Sequence, residues 1–233
     1  MPRIKPEPLA KFYNDEPNVL EIGIDEAGRG PLFGRVYTGA VILPKDVNSA
    51  FDFTLLKDSK KFTSVKKINE VADYIKENAI SWSIQYIEHS IIDEINIRQA
   101  VHRGMHNSIR DIFTKSTIDK NETFLLIDGN DFKPYTLYDD TTEELKSLPH
   151  DTIEGGDNKY TSIAAASILA KVARDEYIEE LCIEHPELSE RYCIDTNKGY
   201  GTKHHLNGIS EYGITQWHRK TYGQCKTANM NTI

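Results

Sequence analysis

Two carboxylates end an apolar segment and could share one catalytic site. Asp25 and Glu26 close this segment and are followed by the turn residues Gly28, Arg29 and Gly30. Because neighbouring side chains on a strand face opposite sides, we expect the strand to break at Glu26 if both acids serve one site. The glycines permit a break and allow backbone N–H groups to approach a phosphate or a sugar. A solvated turn is the alternative.

Two further acids occupy comparable positions. Asp128 ends the apolar segment 123–128, at the edge where open α/β sheets bind ligands. Asp157 precedes a long predicted helix, so it either caps that helix or binds a cation. Four carboxylates at one site repel each other unless cations bind, and oxygen ligands favour Mg²⁺ or Mn²⁺. Such a two-metal site catalyses phosphoryl transfer, which indicates a nuclease.

Two segments concentrate positive charge. Residues 57–67 contain five lysines, at positions 57, 60, 61, 66 and 67. Residues 198–226 interleave basic with aromatic side chains, namely Lys203, His204, His205, His218, Arg219 and Lys220 with Tyr200, Trp217 and Tyr222. This interleaving is typical of a phosphate track beside a stacking surface, although each segment alone could be a solvated face. The acidic stretch 139–157 suggests no function beyond that of Asp157.

The composition of the 233 residues is that of a packed globular protein, with 39% hydrophobic and 27% charged residues. A formal net charge of −8 argues against a nucleic-acid coat or a polybasic membrane binder, but not against an enzyme with a local basic track. The three cysteines form no Cys-x-x-Cys pair, and no apolar run approaches the ~20 residues of a membrane span. We expect a soluble intracellular protein, cytoplasmic or, in a eukaryote, nuclear.

Hydrophobic periodicity predicts a mixed α/β fold. Alternation predicts strands at 19–25, 36–43, 82–87 and 123–128, and helical spacing predicts helices at 64–79, 97–113, 158–184 and 203–212. Strands come first and then alternate with helices, which is the α/β class. We expect an irregular lead-in over 1–18, a catalytic domain over 19–185 and a C-terminal helical appendage over 186–233.

Several motifs, in order along residues 20–222, resemble those of ribonuclease HII, the type 2 ribonuclease H. They are Gly23-Ile-Asp-Glu-Ala-Gly-Arg-Gly-Pro31, Asp58-Ser-Lys60, Asn96-Ile97 with Gln99-Ala100, Ile127-Asp-Gly129, Gly156-Asp157, Ala165-Ala-Ser-Ile-Leu-Ala-Lys-Val-Ala-Arg-Asp175, and Lys198-Gly-Tyr-Gly-Thr202 with His205-Leu206. Each motif is weak alone, but the ordered set is specific.

The resemblance implies a ribonuclease H-like fold, in which a mixed central sheet is flanked by helices and the C-terminal helical region closes over the substrate. It implies hydrolysis of the RNA strand of RNA/DNA hybrids, and incision 5′ to ribonucleotides embedded in duplex DNA that leaves a 3′-hydroxyl. By similarity, Asp25, Glu26, Asp128 and Asp157 would be the catalytic residues and would bind Mg²⁺ or Mn²⁺.

The resemblance also implies substrate-binding roles. The backbone of Gly28, Arg29 and Gly30 would read the 2′-hydroxyl that distinguishes RNA from DNA. Tyr200 would stack on the deoxyribose next to the ribonucleotide, and Lys60 would contact a phosphate. No sliding-clamp binding motif is recognisable, and we expect a monomer.

The chain departs from the family pattern at Phe33 and Arg35, where the family has a small residue and a proline. Substrate positioning near the first loop, residues 26–35, could therefore differ. Two alternatives stay open at this point: another ribonuclease H-like nuclease, such as a junction resolvase, and a non-catalytic protein that binds hybrids.

Overall fold

The computed structural model describes residues 8–14, 16–46, 49–139 and 142–231. Residues 1–7 and 15 of the predicted lead-in, and residues 140 and 141 of the acidic stretch, lie outside the described ranges. The strands are β1 Leu20–Ala27, β2 Val36–Ile42, β3 Ser81–Ile87, β4 Thr123–Asp128, β5 Thr136–Asp139, β6 Glu144–Ser147 and β7 His150–Ile153. The helices are α1 Val65–Asn78, α2 His89–Ile95, α3 Ile97–Lys115, α4 Thr161–Glu184, α5 Glu187–Tyr192, α6 Ile194–Asn197 and α7 Lys203–Tyr212.

A five-stranded mixed sheet forms the centre of the fold, in the order β3-β2-β1-β4-β7. β1 pairs antiparallel with β2 and parallel with β4. The predicted α/β class with a mixed sheet is confirmed. In the parallel pair Ile24 lies opposite Ile127. The residues that follow them, Asp25 and Asp128, therefore also lie side by side.

Helices cover both faces of this sheet. On one face Ile22 and Ile24 of β1 share a buried cluster with Met105 and Ile109 of α3. On the other face α4 packs against the backbone of β1, since a Cβ atom added to Gly23 would lie only 2.1 Å from the carbonyl carbon of Ser162. This close approach brings the polar residues of α4 next to the end of β1.

The C-terminal helices pack onto the end of the sheet and on α4 through a second set of apolar side chains. This cluster joins residues of the first loop and of α4 to residues beyond 186, namely Phe33, Tyr37, Ala170, Tyr177 and Ile178 with Leu188, Tyr192, Ile194, Ile209 and Ile214. The domain boundary at 186 stays a prediction. The first loop and the last fifty residues nevertheless share one buried interior.

Several elements differ from the predicted ones. β5, β6 and β7 escape prediction because they are four residues long and largely exposed, so no apolar alternation marks them. The acidic stretch contributes β6 and the edge strand β7, which pairs parallel with β4. α4 begins at Thr161 and not at 158, because residues 156–158 form a separate 3-10 turn. None of the helices in the described ranges is long and apolar enough to cross a membrane.

Candidate active site

A cleft of about 440 Å³ lies where β1 and β4 end, between α4 and the segment 196–200. Its lining contains eight of the nine residues predicted for the site: Asp25, Glu26, Gly28, Arg29, Gly30, Lys60, Asp128 and Tyr200. Asp157, the ninth, is not part of this lining but adjoins it through Lys60, whose Nζ lies 3.5 Å from Asp157 Oδ2. The cleft therefore gathers residues that are up to 175 positions apart in the sequence.

The predicted strand break at Glu26 is wrong. β1 continues to Ala27, and Glu26 pairs with Thr38 of β2. Asp25 and Glu26 thus start on opposite faces of the sheet. Both still line the cleft because the cleft lies at the end of the sheet, where side chains from either face can reach it.

Burial and like charges disturb the ionisation of these acids. Asp25 is only 5% exposed, and burial, followed by the charges of Glu26 and Asp128, raises its pKa well above the usual range. The Ser167 hydroxyl and the backbone N–H of Glu26, 2.7 Å from Asp25 Oδ1, partly offset this rise. Burial also raises the pKa of Glu26, against the opposing charge of Arg29 at 3.4 Å.

Asp128 and Asp157 meet at the start of the 3-10 turn. Burial and then the charge of Asp157 raise the pKa of Asp128, although the Gly156 N–H donates to Asp128 Oδ1 at 2.7 Å. Asp157 is buried and accepts a hydrogen bond from Asn158 Nδ2 at 3.1 Å. The alternative in which Asp157 caps the long helix is wrong, because α4 begins after Tyr160 without a side-chain cap.

The donors of this cleft suit a hard divalent cation. Asp25 and Asp128 are neighbouring buried carboxylates. Burial, followed by nearby like charges, raises their pKa values, and a bound cation would favour the charged forms. In the described ranges, no three His, Cys, Asp or Glu side chains are already gathered into an ion-binding group. The fit therefore rests on the chemistry of the donors and not on a preformed coordination shell.

The glycine loop, residues 28–30, is shaped by two buried arginines, neither of which sequence reasoning assigned to this role. Gly28 has a φ of +92°, which favours glycine, and a Cβ atom there would lie 2.1 Å from Arg174 Nε. Arg174 also donates to the carbonyl of Lys198 at 2.9 Å, so it joins the loop to the opposite wall of the cleft. Only the Ala165–Asp175 motif of the resemblance pointed to Arg174.

The side chain of Arg219 also binds the backbone of this loop. It is fully buried, and burial lowers its pKa to about 10. Its guanidinium donates to five backbone carbonyls at 2.6 to 3.1 Å, those of Gly28, Arg29, Pro31, Gly34 and Arg35. No carboxylate is needed, because converging carbonyl dipoles compensate the charge.

The prediction of a phosphate track over 198–226 is wrong for three of its residues. His205, His218 and Arg219 are fully buried, so they cannot contact a phosphate. Lys203, His204 and Lys220 are exposed, and Tyr200 is 51% exposed at the rim of the cleft. Basic and aromatic spacing alone does not distinguish a surface track from a buried framework.

Phe33 and Arg35, which depart from the family pattern, lie behind the loop and not in the cleft lining. Phe33 is fully buried, with its ring 5.1 Å from that of His218. Arg35 Nη2 lies 2.7 Å from Glu88 Oε1, and its guanidinium is 4.0 Å from the centre of the Tyr86 ring. Both side chains support the loop from its rear face.

The cleft lining also includes residues to which sequence reasoning assigned no role. They are Ser59, Ser167, Lys171, Asp175, Thr196, Asn197 and Lys198. Lys171 Nζ lies 2.7 Å from Asp175 Oδ2, so this lysine is already paired with an acid of its own helix. All but Thr196 and Asn197 fall within the motifs of the resemblance, which were the signal that could have identified them.

Comparisons with known proteins agree with this architecture. The family model for ribonuclease HII matches residues 22–225. The chain is 43% identical to ribonuclease HII of Parabacteroides distasonis over 203 residues, 87% of this chain and 89% of the relative. It is 40% identical to ribonuclease HII of Bacteroides thetaiotaomicron over 223 residues, 96% of this chain and 98% of the relative.

Solved structures show the same fold. The ribonuclease H2 of Pyrococcus horikoshii superimposes with a TM-score of 0.68 at 20% identity, covering 89% of this chain and 96% of that one. Bst-RNase HIII in complex with Mn²⁺ gives a TM-score of 0.59 at 18% identity, covering 92% of this chain and 67% of that one.

The family assignment accounts for the acidic cleft. Ribonucleases H depend on divalent metal ions, in agreement with the oxygen donors gathered here. The chain belongs to the ribonuclease HII family, whose members are endonucleases that hydrolyse the RNA strand of RNA/DNA hybrids and incise at ribonucleotides embedded in duplex DNA.

Proposed function

We propose that Asp25, Glu26, Asp128 and Asp157 are the catalytic carboxylates and hold two divalent ions, Mg²⁺ or Mn²⁺. The observation that carries this proposal is the parallel register of β1 and β4, which brings Asp25 next to Asp128 at the floor of the cleft. Bound there, the ions would supply an activated water and a neutralised leaving oxygen. The relative Bst-RNase HIII binds Mn²⁺, which supports the same donor chemistry.

The glycine loop and Tyr200 read the substrate in this proposal. Gly30 and the Tyr200 ring are adjacent, since a Cβ atom added to Gly30 would lie 3.5 Å from that ring. The backbone of Gly28, Arg29 and Gly30 reads the 2′-hydroxyl, and Tyr200 stacks on the neighbouring deoxyribose. Together they place the scissile phosphate 5′ to the ribonucleotide, so cleavage leaves a 3′-hydroxyl.

The remaining walls of the cleft bind the duplex. The side chain of Lys60 is 80% exposed and extends over the acids, where it contacts a substrate phosphate. The appendage 186–233 closes over the substrate, because its segment 196–200 forms the wall opposite the glycine loop. In this proposal the protein acts as a monomer, and its nucleic-acid substrate favours an intracellular location.

The test is cleavage of a labelled DNA duplex that contains one ribonucleotide, beside an all-RNA/DNA hybrid and an all-DNA control. With Mg²⁺ or Mn²⁺ we expect incision 5′ to the ribonucleotide, no incision of the control, and no product after chelation of the metal. Two variants test the substrate-binding residues. Lys60→Met should weaken binding, and Tyr200→Ala should lower the preference for the single ribonucleotide.

Three results would contradict the proposal. Cleavage of branched all-DNA substrates would favour a junction resolvase, and hybrid binding without cleavage in either metal would favour a non-catalytic protein. Unchanged cleavage after Asp25→Asn would remove the proposed role of the acids.

A further inference from the structure

Two buried histidines face each other behind Tyr200. His205 of α7 and His218 are both fully buried, and their Nε2 atoms are 3.0 Å apart. The ring of Tyr192 packs edge-on against both histidines, at 6.0 and 5.2 Å. This pair lies outside the cleft lining and takes no part in the roles proposed above.

The hydrogen bonds of the pair fix where each proton lies. The backbone N–H of Thr215 can only donate, and it lies 2.9 Å from His218 Nδ1, so that nitrogen must accept. The Thr215 hydroxyl, also 2.9 Å from His218 Nδ1, is compatible because it can donate. In the neutral ring, the proton of His218 is therefore on Nε2 and donates to Nε2 of His205.

The same arrangement of protons determines how His205 bonds to Tyr200. Since Nε2 of His205 accepts, the proton of that ring is on Nδ1, which lies 3.0 Å from the carbonyl oxygen of Tyr200. A carbonyl can only accept, so all three bonds agree on one arrangement of protons. A further proton on either ring would set two N–H groups against each other, and burial lowers the pKa of both histidines.

The Tyr200 backbone has only local support apart from this bond. Its N–H donates to the Asn197 carbonyl at 3.0 Å, and its carbonyl also accepts from the Thr202 N–H at 2.8 Å. The ring itself is 51% exposed, and within the described residues no other aromatic ring packs against it. The backbone of Tyr200 therefore sets the point from which the ring extends towards Gly30.

The same pair is joined to the glycine loop. The ring of His218 packs edge-on against Phe33 at 5.1 Å, and the two residues form an isolated β-bridge. The next residue, Arg219, donates its backbone N–H to the Leu32 carbonyl at 2.8 Å. A displacement of His218 would therefore reach the glycine loop on one side and, through His205, Tyr200 on the other.

We propose that His205 and His218 are positioning residues that fix Tyr200 relative to the glycine loop and thereby set the preference for a ribonucleotide next to DNA. This proposal rests on the proposed role of Tyr200. It assigns the histidines no contact with substrate, and their effect is exerted through one backbone carbonyl.

Two substitutions of His205 separate the two bonds of its ring. His205→Asn keeps a side-chain N–H donor near the position of Nδ1, whereas His205→Gln places its amide near Nε2 and loses the donor to Tyr200. Asn207→Gln, at an exposed position on the same helix, is the matched control. The readout is the ratio of kcat/KM on a duplex with one ribonucleotide to kcat/KM on an all-RNA/DNA hybrid.

We expect His205→Gln to lower this ratio by about fivefold to tenfold, the equivalent of one lost hydrogen bond. His205→Asn and Asn207→Gln should stay within about twofold of the unsubstituted protein. A merely structural role for His205 would lower stability without moving the ratio. Equal ratios for the Gln and Asn variants, both folded, would overturn the proposal.

A second measurement does not depend on cleavage. Ring ¹⁵N spectra of the unsubstituted protein should show a protonated Nδ1 in His205 and a protonated Nε2 in His218, and any other tautomers overturn the proposal even if the variants do not fold. If Tyr200→Ala leaves the ratio unchanged, the proposed role of Tyr200 fails. The carbonyl ¹³C shift of Tyr200 then tests the proposed role of the two histidines, since it must move in His205→Gln and not in Asn207→Gln.

Discussion

The two sides of the cleft are built in different ways. On the acid side, Asp25 and Asp128 end adjacent hydrogen-bonded strands, so the register of the sheet alone brings them together. On the reading side, the glycine loop is held by Arg219, which lies 190 positions after Arg29 in the sequence. The reading side therefore depends on a distant segment that the acid side does not touch.

This difference separates chemistry from recognition. The sheet that positions the acids is covered by helices on both faces, and its register cannot slip by one residue without turning Ile22 and Ile24 towards α4, where Gly23 leaves no room for a side chain. The glycine loop, which is proposed to read the substrate, is instead held by hydrogen bonds from a buried guanidinium, and the Tyr200 carbonyl accepts one from a buried imidazole. Substitutions in the C-terminal segment should therefore impair recognition of the substrate more than they disturb the positions of the acids.

The largest effect is expected from Asp128→Asn on the acid side. Loss of the carboxylate should lower cleavage of a duplex with one ribonucleotide by at least about a thousandfold. Thermal unfolding should show equal or higher stability, because burial beside Asp157 already disfavours the charged form of Asp128. Asp131→Asn is the matched control. It removes a carboxylate three residues further along the chain, which is paired with Arg98, and this variant should stay active. A folded and active Asp128→Asn protein would contradict the assignment.

Arg219→Lys tests the reading side. A lysine keeps the charge but cannot donate to five carbonyls at once, so we expect a loss of about 2–4 kcal/mol in the free energy of unfolding. In the folded fraction, KM for the ribonucleotide duplex should rise more than kcat falls. Arg110→Lys, at an exposed position on α3, should change neither quantity. Equal losses in kcat for Arg219→Lys and Asp128→Asn would show that the two sides are not separable.

The pH dependence of stability gives a smaller effect on the same side. Burial, with the charges of His205 and His89, lowers the pKa of His218 from 6.5 to about 3 in the folded protein. Above pH 6.5 the ring is neutral in both states, whereas below it the unfolded chain binds a proton that the folded protein does not. Stability should therefore fall as the pH decreases from 6.5 towards 3, by up to about 1.4 kcal/mol per pH unit from this group.

The check is denaturant unfolding from pH 7.5 to 4.5, compared with His218→Gln. The difference between the two proteins removes the contribution of the carboxylates, which titrate in both. We expect the variant to be less stable at pH 7.5 and to lose less stability on acidification. Parallel pH profiles would contradict a neutral buried imidazole at this position.

The smallest effect is expected from Arg35→Met. Arg35 and Glu88 are partly exposed, with 25% and 37% of their side chains accessible, so their ion pair contributes about 1 kcal/mol or less. Methionine keeps an apolar stem against the Tyr86 ring. Because Arg35 is absent from the cleft lining, the preference for a single ribonucleotide should not change. A changed preference would show that the loop is sensitive to support from its rear face.

The sequence predicts the acid side well because its signals are local. Apolar alternation followed by a carboxylate and a turn marks both Asp25 and Asp128, and the β-strands that carry them lie as predicted. The exception is Glu26, where strand pairing with Thr38 prevails over the turn signal of the glycines that follow. Local patterns thus predict positions along the chain better than the exact residue at which an element ends.

The reading side could not be predicted in the same way. His205, His218 and Arg219 have the residue types of an exposed basic segment, and only their partners, far away in the sequence, make them a buried framework. The partners of Arg219 are backbone carbonyls, which no residue type reveals. β7 was missed for a related reason, since its pairing with β4 supplies the order that its own polar side chains do not.

The position of Arg219 also has a consequence for how the enzyme is made. A ribosome adds about 5–20 residues per second, so the 190 positions that separate Arg29 from Arg219 take about 10 to 40 seconds to synthesise. By residue 157 the growing chain contains all four proposed catalytic acids, but its first loop lacks the guanidinium that shapes it until residue 219 has been added. We therefore expect the nascent enzyme to read its substrate through the proposed glycine loop only after the C-terminal segment has left the ribosome and folded into place.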